Sequence, residues 1–144
     1  MAALLDVNAL IALVDSDHTG HEAMQRWFAA HAGEGWATCP MVENGMVRVL
    51  SQPAYPSGQR APAAVIEYLG VLKTAAHYEF WPDGVSISDE TLFDPAYIAG
   101  TRQVTDAYLL GLAARHGGRV VSFDRSMPWQ AVRGRSRELV EWPG

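Results

Sequence analysis

The chain of 144 residues contains a single cysteine, Cys39, a single lysine, Lys73, and no run of 18 apolar residues. One cysteine excludes an internal disulfide, and nothing in the composition indicates an oxidising compartment, so we expect a cytoplasmic protein. The absence of a long apolar run argues against a membrane-spanning helix. Residues Met1 to Val14 are apolar but include Asp6 and lack a basic segment, so we do not expect a signal peptide.

Positive charge is also scarce, since the formal net charge is -5 at pH 7. This value argues against a generally basic nucleic-acid-binding protein. The charges are unevenly distributed, however. Residues 1–100 carry 4 basic and 12 acidic side chains, whereas residues 101–144 carry 7 basic ones, all arginine, and 4 acidic ones. The arginines form either a solvated surface with some ion pairs or a phosphate-binding region, because the planar guanidinium group matches phosphate well.

Short apolar segments alternate with segments of helical periodicity along the chain. With 49% hydrophobic and 19% charged residues, the sequence suits one globular domain covering residues 1–144. The alternation predicts an α/β fold, a three-layer α/β/α sandwich with a mostly parallel central sheet. The expected strands are 2–5, 36–39, 79–81, 119–123 and an edge strand at 138–142. The expected helices are 9–14, 18–32, 40–51, 62–76 and 103–115, with a weak helix opening at 88–90.

Four acidic residues share one relation to these elements. Asp6 and Asp124 directly follow strands, and Glu43 and Asp106 lie in the first turns of helices, with Thr105 as the expected N-cap of the later one. The carboxyl ends of parallel strands form the edge at which α/β sheets bind ligands, so we expect the four carboxylates to converge there. Taken singly, each acid is explained more simply as a helix cap or a solvated helix start, so a functional interpretation depends on convergence.

Converging carboxylates indicate a hard divalent cation. Close negative charges are costly unless a cation neutralises them, and Mg²⁺ or Mn²⁺ prefers oxygen ligands. Such ions promote phosphodiester hydrolysis by activating a water molecule and stabilising the leaving oxygen. The residues therefore favour a metal-dependent nuclease or phosphatase.

Single residues argue against three alternative interpretations of the acidic residues. The segment 15–20 resembles the opening of a calcium-binding loop, but Arg26 stands where the bidentate glutamate is needed. A phosphatase of the haloacid-dehalogenase type needs a second aspartate two residues after the first, and Asn8 occupies that position. A receiver domain needs paired acids near its start and a late lysine, and Lys73 is the only lysine.

The acidic motifs resemble those of PIN-domain ribonucleases, most closely the VapC toxins of bacterial toxin–antitoxin pairs. The segments that carry the resemblance are Leu5–Asn8, Trp36–Pro40, Glu43–Gly45, Arg102–Leu110 and Ser122–Asp124. The resemblance implies an α/β/α sandwich, a homodimer, and RNA cleavage that depends on Mg²⁺ or Mn²⁺. It also implies a cognate antitoxin protein that blocks the active site.

The resemblance assigns catalytic roles to four residues of this chain. Asp6, Glu43, Asp106 and Asp124 match the acidic quartet of the family. We expect Asp6, Asp106 and Asp124 to bind the metal directly and Glu43 to act through water. Some relatives carry a further acid shortly after the last aspartate, whereas Arg125 follows it here, which leaves open whether one or two ions bind.

Neighbouring polar and basic residues have supporting roles in this hypothesis. Asn8, Thr105 and Ser122 either orient the metal ligands and water or are ordinary caps and strand-end residues. Arg102 and Arg125, the arginines nearest the acidic motifs, are expected to bind RNA. The alternative from another functional class is a non-catalytic RNA- or protein-binding module on the same fold.

Overall fold

The computed structural model describes all 144 residues and contains one five-stranded sheet and five α-helices. The strands are β1 (Ala3–Leu5), β2 (Trp36–Thr38), β3 (Tyr78–Phe80), β4 (Arg119–Val121) and β5 (Val140–Glu141). The helices are α1 (Val7–Val14), α2 (His21–His31), α3 (Pro40–Leu50), α4 (Pro62–Leu72) and α5 (Arg102–Arg115). Single turns of 3-10 helix span Ala32–Glu34, Pro95–Tyr97, Trp129–Ala131 and Arg137–Leu139. None of the helices combines the length and the apolar composition that crossing a bilayer requires.

The sheet has the order β3-β2-β1-β4-β5, and every neighbouring pair is parallel. The chain builds β1, β2 and β3 towards one side, then returns to the other side of β1 to add β4 and β5. The order of strands therefore reverses between β1 and β4, where Leu5 is the register partner of Val121. A reversal of this kind opens a crevice at the carboxyl ends of the two strands, which is where open α/β sheets bind ligands.

Helices cover both faces of the sheet, which confirms the three-layer α/β/α sandwich. Successive residues of a strand point to opposite faces, and β1 shows the consequence: Leu4 belongs to a core with α5, whereas Ala3 and Leu5 belong to a core with α1 and α2. Helix α3 contributes to both cores, through Val42 on one side and Met46 on the other. All three residues of β1 are buried, as expected for a central parallel strand.

The start of α5 differs from the sequence prediction. The helix begins at Arg102 with Thr101 as its N-cap, so the expected N-cap role of Thr105 is wrong. The Gln103 side-chain oxygen accepts a hydrogen bond from the Ala99 backbone N–H at 2.8 Å, and this contact stabilises an earlier start. Asp106 is consequently the fifth residue of α5, one residue further into the helix than a start at residue 103 places it and no longer in the first turn.

The weak helix expected from residue 88 onward does not form. The Asp89 carboxylate accepts hydrogen bonds from the Thr91 backbone N–H at 2.9 Å and from the Thr91 hydroxyl at 2.6 Å. This local bonding holds a turn instead of a helix start. The final strand is also shorter than expected, because residues 137–139 form a 3-10 turn before β5.

A buried carboxylate fixes the proline-rich loop at residues 52–59. Asp15 accepts hydrogen bonds from the Tyr55 hydroxyl at 2.5 Å and the Ser57 hydroxyl at 2.9 Å, and Arg60 lies 3.5 Å away. Burial opposes ionisation of Asp15, but these hydrogen bonds outweigh it and hold its pKa below the usual value. The charged form of Asp15 therefore anchors the loop to the end of α1.

Candidate active site

Asp6 lies directly after β1 and is the N-cap of α1. Its carboxylate accepts hydrogen bonds from the Val7 backbone N–H and from the Ser122 hydroxyl, both at 2.8 Å. The residue is only 7% exposed, and this burial raises its pKa, with a further contribution from the charge of Asp124. The two hydrogen bonds counteract the shift but do not cancel it. Asp6 is thus a helix cap whose ionised form is disfavoured by burial at the edge of the sheet.

Asp124 follows β4 and is held by a tight turn. One carboxylate oxygen, Oδ1, accepts hydrogen bonds from the backbone N–H of Ser126 at 2.8 Å and from its hydroxyl at 2.7 Å. The backbone carbonyl of Asp124 accepts a hydrogen bond from the Trp142 indole at 2.8 Å. The other carboxylate oxygen, Oδ2, accepts no hydrogen bond from the chain and is free for a ligand.

Ser122 connects the two strand ends. Its fully buried hydroxyl donates to Asp6 and accepts from the Asp124 backbone N–H at 3.0 Å and from the Asn8 side-chain amide at 3.2 Å. The Asn8 carbonyl oxygen in turn accepts from the Phe123 backbone N–H at 3.1 Å. A hydroxyl has one proton to donate, and here it goes to the Asp6 carboxylate. The network fixes the positions of both aspartates relative to each other.

Asp106 reaches the same region from α5. Burial raises its pKa to about 7, and the charges of Asp6 and Asp124 contribute to the shift. No donor of the chain bonds to the Asp106 carboxylate. The structure therefore brings three of the four predicted acids, Asp6, Asp106 and Asp124, into one electrostatically coupled group.

The three aspartates have the donor chemistry that Mg²⁺ or Mn²⁺ requires. All are oxygen ligands, and the pKa of Asp106 is raised first by burial and then by the charges of Asp6 and Asp124, with no basic residue opposing the shift. As the side chains stand, no group of three or more His, Cys, Asp or Glu residues is arranged to hold a metal ion. The fit to a cation thus rests on the identity and coupling of the donors.

Glu43 is placed differently from the other three acids. Its Oε2 atom lies 2.9 Å from the Lys73 ammonium group and accepts a hydrogen bond from the Thr38 hydroxyl at 2.6 Å and a longer one from Tyr78 at 3.4 Å. Glu43 is not among the charges that raise the pKa values of Asp6 and Asp106. The expected convergence of four carboxylates is therefore found for three, because the fourth is paired towards β3.

This placement predicts a smaller catalytic effect for Glu43 than for the aspartates. We expect Glu43→Gln to retain at least ten times more RNA cleavage than Asp6→Asn, and to lower the melting temperature because it breaks a partly buried ion pair worth about 1 kcal/mol. Lys73→Gln breaks the same pair from the other side and is the matched control. Cleavage by Glu43→Gln as low as that of Asp6→Asn, with Lys73→Gln fully active, would contradict this expectation and assign Glu43 to the catalytic group.

The remaining predicted residues lie around the three aspartates. Thr105 is exposed and precedes Asp106, and its hydroxyl makes no hydrogen bond within the chain. Arg102 is exposed one turn before Asp106 on α5 and has no acidic partner. The guanidinium group of Arg125 lies 5.2 Å from the centre of the Trp142 ring. Both arginines therefore keep their charge available beside the acids.

Two residues that hold Asp124 were not predicted from the sequence. Ser126 was detectable, because Asp-x-Ser is a common pattern for a turn in which the serine donates back to the carboxylate. Trp142 was not, since it directly follows β5 and reaches Asp124 only through the fold. Its ring also lies near Arg137, at 5.3 Å, so it organises positive charge at this end of the molecule.

An α/β/α sandwich with aspartates at the switch point of its parallel sheet is the architecture of a PIN domain. The PIN domain family model matches residues 3–132, and the chain belongs to this family. It is 45% identical over 141 residues to Ribonuclease VapC44 of Mycobacterium tuberculosis, covering 96% of each chain. It is also 42% identical over 134 residues to Ribonuclease VapC39 of the same organism, covering 93% of this chain and 96% of that one.

A solved structure confirms the fold. The crystal structure of Mycobacterium tuberculosis VapC20, described as a toxin that cleaves the sarcin–ricin loop, superimposes with a TM-score of 0.60. The match covers 86% of this chain and 90% of that chain, at 12% sequence identity. At this identity the likeness concerns the fold, and the sequence relatives carry the closer family relation.

Proposed function

We propose that the protein is a metal-dependent endoribonuclease that acts as the toxin of a toxin–antitoxin pair. The observation that carries the proposal is the coupled group of three aspartates at the carboxyl ends of β1 and β4, in which the pKa of Asp106 is raised to about 7. Such a group is suited to a divalent cation. The names of the relatives VapC44 and VapC39 add RNA as the substrate class.

Asp6, Asp106 and Asp124 would hold Mg²⁺ or Mn²⁺ in this proposal. A bound ion of this kind supplies a more acidic water and neutralises charge that develops on phosphate oxygens. The chain contributes the orientation: Ser122 and Asn8 fix Asp6, and Ser126 directs Asp124. Thr105 and Glu43 are proposed to act through water at the margin of this site.

RNA cleavage in the presence and absence of metal tests the proposal directly. We expect the purified protein to cut cellular RNA in Mn²⁺ or Mg²⁺, to leave it intact with EDTA, and to lose activity in Asp124→Asn. RNA that is bound but never cut in either metal would favour a non-catalytic binding module instead. Since the substrate is RNA, the proposed site of action is the cytoplasm.

Two protein contacts belong to the same proposal, a homodimer and a complex with a cognate antitoxin. Helix α4 exposes Ile66, Tyr68 and Val71 to 57%, 51% and 65%, an amount of apolar surface that supports a protein–protein contact. We also propose that residues 1–144 form one domain, because strands near both ends of the chain share one sheet. A monomeric mass by light scattering at micromolar concentration would contradict the homodimer.

Arg102 and Arg125 are proposed to bind the RNA backbone beside the metal. We expect replacement of either by glutamine to weaken RNA binding and to reduce its salt dependence, by about 0.7 in the slope of log K against log salt for each lost phosphate contact. Arg133→Gln is the control, because Arg133 lies 3.6 Å from Asp94 and is engaged there. Affinities measured at several salt concentrations give the result, and unchanged slopes for both variants would rule out these contacts.

A further inference from the structure

A groove of about 400 Å³ is lined mainly by residues of α3, together with residues from the first turn of α1 and from α5. Its walls include Val7 and Thr105, which are the chain neighbours of Asp6 and Asp106. Asn44, Arg48 and Asp83 supply polar groups in addition to Thr105, and Leu109 and Met41 supply apolar surface. The volume lies near the lower end of the range of small-ligand sites, about 300–1,000 Å³.

A glycine sets the position of α3 against the site. A Cβ atom on Gly45 would lie 2.7 Å from Cγ2 of Val7, which is too close for any other residue without movement. Gly45 therefore allows α3 to approach the first turn of α1. Asn44 and Arg48 of α3 line the groove, whereas Glu43 does not.

Two side chains of the groove have no partner within the protein. Asn44 and Arg48 are one helical turn apart, so they project from the same side of α3. Neither makes a side-chain hydrogen bond, and no carboxylate lies within 4 Å of the Arg48 guanidinium group. Several other arginines are paired, for example Arg60 with Asp15 and Arg119 with Glu141. The groove thus presents a guanidinium group and a side-chain amide that have no partner within the protein.

We propose that this groove binds the nucleotide adjacent to the scissile phosphate, with Arg48 contacting the neighbouring backbone phosphate and Asn44 the base or ribose. The inference rests on the proposed ribonuclease function and adds a subsite to it. A guanidinium group binds phosphate through its fork of donors, an amide both donates to and accepts from bases, and the apolar wall accommodates a base. Burial raises the pKa of Tyr108 and the nearby Asp83 carboxylate adds to the shift. Because this negative charge would repel a phosphate, we place the phosphate at the Arg48 end of the groove.

Substitution of the two residues tests the subsite. Binding is measured with a short single-stranded RNA of mixed sequence, in an Asp6→Asn background that does not cut it. We expect Arg48→Gln to lower the affinity about tenfold and to reduce the salt slope by about 0.7. In the protein with Asp6 intact, Asn44→Ala should lower kcat/KM and alter the nucleotide preference next to the cut. In the Asp6→Asn background it should leave the salt slope unchanged, because an amide carries no charge.

Arg26→Gln is the matched control, since Arg26 is an exposed arginine without an ion pair on α2, away from the groove. It should leave affinity and slope unchanged. Melting temperatures of all variants should equal that of the wild type, because these side chains are exposed.

Wild-type affinity and slope in Arg48→Gln would overturn the subsite. If the same variant then lost binding to an acidic partner protein, the groove would be a protein contact. A wild type that neither binds nor cuts RNA would instead contradict the proposed function itself.

Discussion

Replacing Asp6 with asparagine is expected to abolish RNA cleavage while the protein stays folded. The substitution keeps the size of the side chain and removes one charge from the group of three aspartates. Catalysis should fall by orders of magnitude, because a misplaced ion no longer activates water. Without metal, the melting temperature should hold or rise. Burial already raises the pKa of Asp6, so its charged form is less favourable in the folded protein than in the unfolded one.

Metal ions should affect the melting temperatures of the wild type and Asp6→Asn differently. Mn²⁺ or Mg²⁺ that binds only the folded site raises the melting temperature of the wild type by mass action, and Asp6→Asn should show a smaller rise. Asp17→Asn is the control, since it makes the same chemical change at an exposed acid outside the site. Melting curves and cleavage assays at equal metal concentrations provide the comparison.

A purely structural role for Asp6 predicts different results. The residue does cap α1, and asparagine also caps helices well, so a cap alone forecasts a loss of about 1 kcal/mol or less and no effect of metal. An Asp6→Asn variant that still cuts RNA, or a wild type whose melting temperature ignores metal, would contradict the nuclease proposal at its centre.

The sequence was most informative where local patterns determine structure. The apolar segments ending in Asp6 and Asp124 predicted two central strands whose acids meet at one edge, and the parallel pairing of β1 with β4 brings them there. The helices predicted to begin at residues 40 and 62 do begin there, and each has a proline at its first position, where the missing N–H costs nothing. These features depend on residues that are close together in the chain, so local sequence patterns predict them.

Contacts between residues far apart in the chain were harder to predict from the sequence. The pairing of Glu43 with Lys73 joins residues 30 positions apart, and it follows from the packing of α4 and β3 beside α3. The role of Ser122 could be guessed only as a residue near the acids, whereas its actual bonds connect both strand ends through one hydroxyl. Such contacts require the register of the sheet, which periodicity alone does not supply.

The electrostatics of the site explain why its parts are arranged as they are. Three partly or fully buried carboxylates would push the strand ends apart, and the network around Ser122 and Asn8 offsets this repulsion with hydrogen bonds. Ser122 donates to the Asp6 carboxylate and Ser126 donates to Oδ1 of Asp124, whereas the Asp106 carboxylate accepts no hydrogen bond from the chain. The uncompensated charge is thus concentrated on one side chain, which makes Asp106 the group most sensitive to pH and to cations.

Stability without metal should therefore fall as the pH rises towards neutrality. The pKa of Asp106 is raised from 3.8 to about 7 in the folded protein, so between these values the folded state binds more protons than the unfolded state. By linkage, the free energy of unfolding then decreases with increasing pH. One pKa unit corresponds to about 1.4 kcal/mol, which sets an upper bound of about 4 kcal/mol, and partial exposure of the side chain reduces it.

Asp106→Asn should remove this part of the pH dependence. The measurement is a set of melting temperatures between about pH 5 and pH 8 for both proteins in EDTA, where the difference between the two profiles isolates Asp106 from the other titrating groups. Mn²⁺ should stabilise the wild type more at the upper end of the range, because the ion binds the ionised carboxylate and opposes its protonation. Identical profiles for the wild type and Asp106→Asn, or a metal effect that does not grow with pH, would show that Asp106 is not coupled to Asp6 and Asp124 as the structure indicates.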